Sequence, residues 1–369
     1  AHVHSTGKGY YAHAGNWIEL VNKDTSGNVA LSGNLDVDGH TELDNLNVSG
    51  VSTFVSDMNV ANGSGIIEDA GGQLKIRANA FNFKDIIENL DIVSDMDVYG
   101  IITYTDLDKC EYPAIIGVAG SLGWAEHHRD YLRKYREAGI ATVELYSFKS
   151  RNVSSTVGEQ VSATIPMIVY DSYMLLANLA NNPRINKESI GITGWSLGGG
   201  VALFSGWKKI KDLISPDYEF AAHLPVYPPC ITNVDDLEFV KNPIYILIGE
   251  LDNWVPAEPC LEFIESLKLK GHENASITIF PNSHHSYDRK TNLKVVESGY
   301  SLKDCRLVLE SDGTVKTKDY GFPLSNSFMQ KLGLYFCADK GPTMGGNKEA
   351  RTKSKDYAVD FFVKYLLGE

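Results

Sequence analysis

The stretch GITGWSLGGG, residues 191–200, sets Ser196 between Trp195 and Leu197 and fences it with Gly194 and Gly198. A serine hydroxyl is a weak nucleophile that becomes useful only beside a general base. Residues 189–193 before it read as a short buried strand, and Val201, Ala202, Leu203 and Phe204 continue beyond the glycines as a helix. Strand, tight turn and helix together make a nucleophile elbow, which exposes the hydroxyl above the sheet. Gly194 and Gly198 tolerate the crowding that such a bend imposes. An ordinary glycine turn is the competing reading, and the surrounding elements decide between the two.

A nucleophile needs a base, an orienting acid and donors for the oxyanion, and in an α/β-hydrolase they follow in the order Ser, Asp or Glu, His. The apolar run Ile244 to Ile248 predicts a strand that ends in Gly249, Glu250, Leu251 and Asp252. Asp252 is the preferred acid because a helix is expected near Pro256, leaving Asp252 at the exposed tip of the loop; Glu250 is its rival. A second strand, Ile277 to Phe280, runs into a polar loop with His284 and His285, and the residues alone do not choose between the two. Upstream, residues 113–148 give a strand, a glycine-rich loop, an amphipathic helix and another strand. Backbone N–H groups of Ser121 or Leu122, with that of Leu197, are the expected oxyanion hole. Trp124, Tyr146, Arg151, Trp195 and Trp254 are the expected rim, with aromatic faces suited to an apolar acyl group or a sugar.

Positioning these residues takes a full-sized core, and 369 residues suffice for two domains. All 13 prolines and all 5 cysteines lie at or after Cys110. Residues 1–108 hold 5 Lys+Arg against 16 Asp+Glu, which is −11 of the formal −13. The expected domains are therefore 1–108 and 109–369. An acidic front half argues against binding nucleic acid or an anionic membrane. No apolar run reaches the length of a membrane span and no signal segment opens the chain, so a soluble protein is expected. The chain starts at Ala1 without Met, and an upstream part is expected to have preceded it. Cys110, Cys230 and Cys260 read as buried thiols, while Cys305 and Cys337 flank a segment whose ends are able to pair.

The front half repeats itself in LDVDGHTEL (35–43), LNVSGVSTF (46–54), MNVANGSGI (58–66) and MDVYGIITY (96–104). Alternation closed by a turn residue predicts short strands. One unit carries too few inward side chains for a core, so repeats of this kind stack or intertwine among several chains; a monomeric solenoid or a linker is the plainer alternative. His2 and His4 on a three-fold axis would offer six imidazoles to one ion, but His2, His4 and His13 read as free histidines in a polar segment, and neither metal nor cofactor is expected.

Two resemblances extend this reading. Residues 1–108, with IIEDAGGQLKIRANAFNFKD (66–85) and the repeats, resemble tail-fibre and receptor-binding structural proteins of marine bacteriophages. That likeness implies an intertwined, all-β, homotrimeric segment on a virion or outside the cell. Residues 110–369 resemble the dienelactone hydrolase family of α/β-hydrolases through GITGWSLGGG, ILIGELDNWVPAEPC, FPNSHHSYD, SFKSRNV and CADKGPTMGGNKEARTKSKDYAVDFFVKYL, in the family's order. The resemblance implies a mostly parallel sheet with helices on both faces, and aligning FPNSHHSY on the family pattern selects His285 as the base. It departs in two places: Ser196 stands where the namesake enzymes carry cysteine, which implies a general esterase, and Ala119 stands where a histidine usually precedes the oxyanion-loop glycine. The combined expectation is a Ser196, His285, Asp252 esterase acting through an acyl-enzyme on host surface glycan esters. A non-catalytic binding head and a promiscuous small-ester hydrolase are the alternatives.

Overall fold

The structure, a computed structural model, describes residues 2–3, 8–13, 16–19, 73–77, 97–105 and 111–368 apart from 237. The chain divides into two compact units, Ala1–Asn59 and Val60–Glu369. In the first, β1 (His2–Val3), β2 (Lys8–His13) and β3 (Asn16–Glu19) form an antiparallel sheet. The repeats at 35–43, 46–54 and 58–66, His4, Cys110 and the side chains of His2 and His13 lie outside the described residues.

The second unit is built on eight strands: β4 (Gln73–Arg77), β5 (Asp97–Thr103), β6 (Tyr112–Val118), β7 (Ala141–Leu145), β8 (Ile185–Trp195), β9 (Ala222–Val226), β11 (Ile244–Gly249) and β12 (Ala275–Phe280), with the short β10 (Thr232–Val234) outside this sheet. Their order is β12-β11-β9-β8-β6-β7-β5-β4. The six strands from β6 to β12 run parallel, and β5 joins β7 antiparallel. All seven residues of β6 are buried, as a parallel strand covered on both faces requires. Helices α1 (Glu126–Glu137), α2 (Ser147–Ser150), α3 (Ile165–Ala180), α4 (Leu197–Phe204), α5 (Lys208–Ile214) and α6 (Ala257–Leu269) connect the strands. This is the α/β-hydrolase arrangement expected for the later part of the chain.

Two expectations change here. The repeat-like MDVYGIITY contains β5, which pairs with both β4 and β7, so the boundary expected at 108 falls inside one sheet. Edge strands with polar and apolar residues alternating read the same whether they belong to a fibre or close a larger sheet. Cys230 and Cys260 are not thiols but a disulfide, their Cα atoms 4.9 Å apart, because the loop after β9 is carried against α6. Cys305 and Cys337 also form a disulfide.

Between β12 and the C-terminal helix the chain makes a long excursion. It leaves and returns through two nested antiparallel pairs, β13 (Lys294–Val295) with β18 (Thr343–Met344) and β14 (Tyr300–Ser301) with β17 (Asp339–Lys340). The Cys305–Cys337 bridge crosses the neck just beyond them. Past the bridge, β15 (Leu307–Leu309) docks parallel on β10, β16 (Val315–Thr317) pairs antiparallel with β15, and α7 (Ser327–Tyr335) follows. Ile231, Cys305, Leu307, Leu324 and Leu334 form a small buried cluster there. Helix α8 (Lys348–Phe362) then closes the chain, its start capped by the Asn347 side chain accepting from the N–H groups of Glu349 and Ala350.

Candidate active site

In the sheet, the chain passes from β6 to β7 on one side and then crosses from β7 to β8, β9, β11 and β12 on the other side of β6. Ligand sites of open α/β sheets sit at the carboxyl ends of the strands where this order reverses. The loops after β6 and β8 start at one level there, since Val118 pairs with Gly194. Gly249 of β11 likewise pairs with Phe280 of β12, which levels the loops carrying Asp252 and His285.

The elbow is built by close backbone contact. Ser196 adopts φ 56° and ψ −114°, a conformation that costs a non-glycine residue on the order of 1–3 kcal/mol. Its N–H donates to the Val226 carbonyl at 3.0 Å, and its own carbonyl accepts from Gly200 N–H at 2.9 Å. A Cβ on Gly194 would stand 2.1 Å from the Gly198 oxygen, and one on Gly198 would stand 2.1 Å from the Val118 oxygen. Both glycines are therefore required by space, as their spacing around Ser196 suggests.

His285 Nε2 lies 3.0 Å from Ser196 Oγ, and His285 Nδ1 lies 2.7 Å from Asp252 Oδ2. A carboxylate can only accept, so Nδ1–H donates to Asp252 and Nε2 is left to accept from the serine hydroxyl. Asp252 Oδ1 accepts from the N–H groups of Trp254 and Val255, at 2.9 and 3.0 Å. Those two bonds fix the carboxylate plane. The rings of Trp254 and Tyr227 flank the imidazole, with centroids 4.9 and 4.8 Å from it. The His285 carbonyl accepts from Gly345 N–H at 3.0 Å, so the excursion's return limb also holds the histidine loop.

Asp252 does not stand at an exposed loop tip; it is buried, 4% exposed, under Trp254. Burial makes its bond to the imidazole stronger than a solvated one. Glu250 is exposed, and its carboxylate accepts from Asn282 N–H at 2.9 Å, pinning the turn that leads into the histidine loop. His284 makes no hydrogen bond with Ser196 or Asp252 among the described residues. Ser121, Leu122 and Leu197 meet around Ser196: Ser121 lines both cavities that open at the serine, Leu122 the smaller and Leu197 the larger.

Of the five expected rim residues, Trp254 alone lines the cavities beside Ser196. Trp195 is fully buried and packs against His128, Tyr131 and Trp124, because successive strand residues point to opposite faces and the one before the nucleophile turns into the core. Arg151 is an interior ion-pair partner, its two terminal nitrogens 2.6 and 3.0 Å from the oxygens of Asp171 on α3. Trp124 donates through Nε1 to the Leu145 carbonyl, and Tyr146 donates to Glu144 while accepting from Arg129; these two line a separate cavity that does not include Ser196.

Several residues that the sequence did not single out complete the surroundings. Tyr227 donates to Asp288 at 3.0 Å, and burial pushes the Asp288 carboxyl up to about 6 in spite of that bond. His128 caps α1 by accepting from Ala125 N–H, and burial with the neighbouring His127 holds it well below the usual histidine range. Burial, with Arg289 nearby, pushes His127 down to about 3. Arg289 and Met344 line the smaller cavity together with Ser196 and His285. The tandem histidines of α1 and the aspartate three places after His285 were the only hints available in the sequence.

The Dienelactone hydrolase family matches residues 102–305. Est1E from Butyrivibrio proteoclasticus is similar with a TM-score of 0.41 and 16% identity over 52% of this chain and 88% of that one. The apo form of Thermogutta terrifontis esterase 2 is similar with a TM-score of 0.41 and 17% identity over 53% of this chain and 82% of that one. No curated protein matches the sequence. The family match spans more than half of the 369 residues, and it takes in the loop after β6, the elbow and the loops of Asp252 and His285; this chain belongs to the dienelactone hydrolase family.

Proposed function

We propose that this protein is a serine carboxylic-ester hydrolase that works through an acyl-enzyme. The observation that carries the reading is the chain of two hydrogen bonds from Ser196 through His285 to the buried Asp252. Ser196 Oγ attacks the ester carbonyl while His285 Nε2 takes its proton, and Asp252 stabilises the resulting imidazolium. The developing oxyanion is met by the N–H of Leu197 and that of Ser121 or Leu122. As the intermediate collapses, the C–O bond to the alcohol breaks and His285 returns the proton to the departing oxygen. A water then gives its proton to His285 and attacks the acyl carbon; the bond from that carbon to Ser196 Oγ breaks, His285 returns the proton to Oγ, and the acid is freed.

The test is hydrolysis of a short-chain chromogenic ester by the wild type and by Ser196→Ala. The reading expects the variant to lose about four orders of magnitude or more in kcat. Equal and negligible rates in both would favour a binding head without catalysis. The setting we propose is a virion fibre, on the resemblance of residues 1–108 to fibre repeats, with acyl groups on host surface glycans as the natural esters. Host polysaccharide whose acyl content is unchanged after incubation with the protein would overturn that setting.

A further inference from the structure

Two cavities meet at the candidate nucleophile, and they differ in chemistry. Ser121, Ser196 and Trp254 are common to both. The smaller, about 20 Å³, contains His285, together with His128 and Arg289. The larger offers about 170 Å³, contains Leu197, and does not contain His285. None of the residues lining the larger cavity is charged. Its core-side wall includes Ile165, Phe204 and Val255, and the opposite wall is Leu302, Leu307, Val315, Leu324 and Leu334, all from the excursion beyond β12.

Protonation decides which half of an ester enters which cavity. The departing alcohol oxygen must reach His285 Nε2, because that nitrogen supplies its proton. The alcohol therefore faces the cavity that holds the imidazole, and the acyl chain is left to the one that does not. We propose that the larger cavity is an acyl-chain site for an uncharged aliphatic acid of several methylenes, and that the disulfide-crossed excursion forms its roof. This rests on the esterase reading above and names the substrate class that such an enzyme would take.

The roof is fastened where the reaction needs it. Leu302 N–H donates to the Trp254 carbonyl at 2.9 Å, and Thr343 N–H donates to the Asn253 side chain at 2.9 Å, which ties the excursion to the two residues after Asp252. Leu307 N–H donates to the Ile231 carbonyl at 2.8 Å, and the Gln330 amide donates to the Gln160 carbonyl at 2.7 Å, closing the far side over the cavity. A wall of leucine and valine attracts methylenes, and the cavity's polar lining, Gln160, Thr164, Thr232 and Gln330 among it, is neutral, so a chain ending in a carboxylate would be buried with no cation to pair it.

The experiment measures kcat/KM for p-nitrophenyl esters from acetate to decanoate, for a p-nitrophenyl ester of a dicarboxylic acid as long as octanoate, and for octanoate esters of alcohols of increasing size. Ser196→Ala and Val315→Trp are run beside the wild type. We expect kcat/KM to rise by about fourfold per methylene over the first few, the equivalent of about 0.8 kcal/mol each. The free carboxylate should forfeit that gain. In Val315→Trp the octanoate-to-acetate ratio should fall by about tenfold or more; as a ratio it does not depend on how much of the variant is folded. Ser196-dependent hydrolysis that is flat or falling from acetate onward, or an unchanged ratio in Val315→Trp, would overturn the acyl site while leaving the esterase reading intact. Hydrolysis of no ester at all would sink both.

Discussion

At the scale of single residues, the site combines groups held in place by backbone with groups held by burial. Ser196 keeps its strained turn because Gly194 and Gly198 let β6, β8 and α4 approach to distances no side chain allows. Behind His285, Tyr227 and Asp288 form a buried polar pair whose carboxyl is pushed up to about 6 by burial. The folded chain thus holds a proton that the unfolded chain, with its ordinary value of 3.8, has already released. Stability from this residue is present below 3.8 and is lost as pH rises to about 6. Above that the cost is about 3 kcal/mol. Asp288→Asn keeps an acceptor for the Tyr227 hydroxyl and lacks the titration. Urea midpoints from pH 4.5 to 8 should show the variant gaining on the wild type as pH rises. His127, pushed down to about 3 and with its Nε2 3.8 Å from Asp288 Oδ1, pulls the other way, so the two proteins are also compared in a His127→Gln background. Parallel stability curves would contradict the assignment.

The same scale shows what the sequence exposed and what it hid. The elbow was legible because an apolar run, a G-x-S-x-G turn and a helix are contiguous. Asp252 and the pair His284 and His285 were legible because each follows a recognisable strand, and the family resemblance was what selected His285. The burial of Asp252 was not, since it depends on Trp254 and on an excursion some fifty residues further along the chain. Trp195 was misplaced for a simple reason: proximity in sequence to the nucleophile says nothing about which face of the strand a residue takes.

At the scale of elements, most connections are set by the parallel sheet and its crossovers, and these the apolar runs announced. The excursion was silent in sequence because its strands are two or three residues long and carry no readable period. Cys305 and Cys337 marked its neck, whereas the partnership of Cys230 with Cys260 depends on a spatial approach of the β9 loop to α6. Arg151 belongs to this scale as well. Its bidentate bond to Asp171 joins the segment after α2 to α3 in the interior, where burial raises the Asp171 carboxyl against the pull of the guanidinium. Arg151→Met should cost about 3–5 kcal/mol because it leaves a buried carboxylate unpaired. Arg151→Met/Asp171→Leu should recover most of that loss in chemical denaturation, and the ratio of octanoate to acetate hydrolysis should stay put in both. A single variant as stable as the wild type would show that the pair has no structural weight.

At the scale of the whole molecule, acidity is concentrated in the first 108 residues, at −11 of −13. A strand from that stretch, β5, is nonetheless part of the large sheet. The proposal of intertwined repeats predicts a particle about three times the chain mass of 40.7 kDa. Light scattering on the full chain should report that trimer, and a monomeric mass would rule out the fibre setting without touching the chemistry of Ser196. Among the described residues no helix is long and apolar enough to cross a membrane.

The central claim is that Ser196 is a nucleophile activated by His285. Its most direct test is reaction with a fluorophosphonate, followed by intact-mass and peptide-mass measurement of the wild type and His285→Ala. The account predicts one adduct per chain, on Ser196, formed rapidly in the wild type and slower by orders of magnitude without His285. An adduct on another residue, or equal rates in the two proteins, would contradict it.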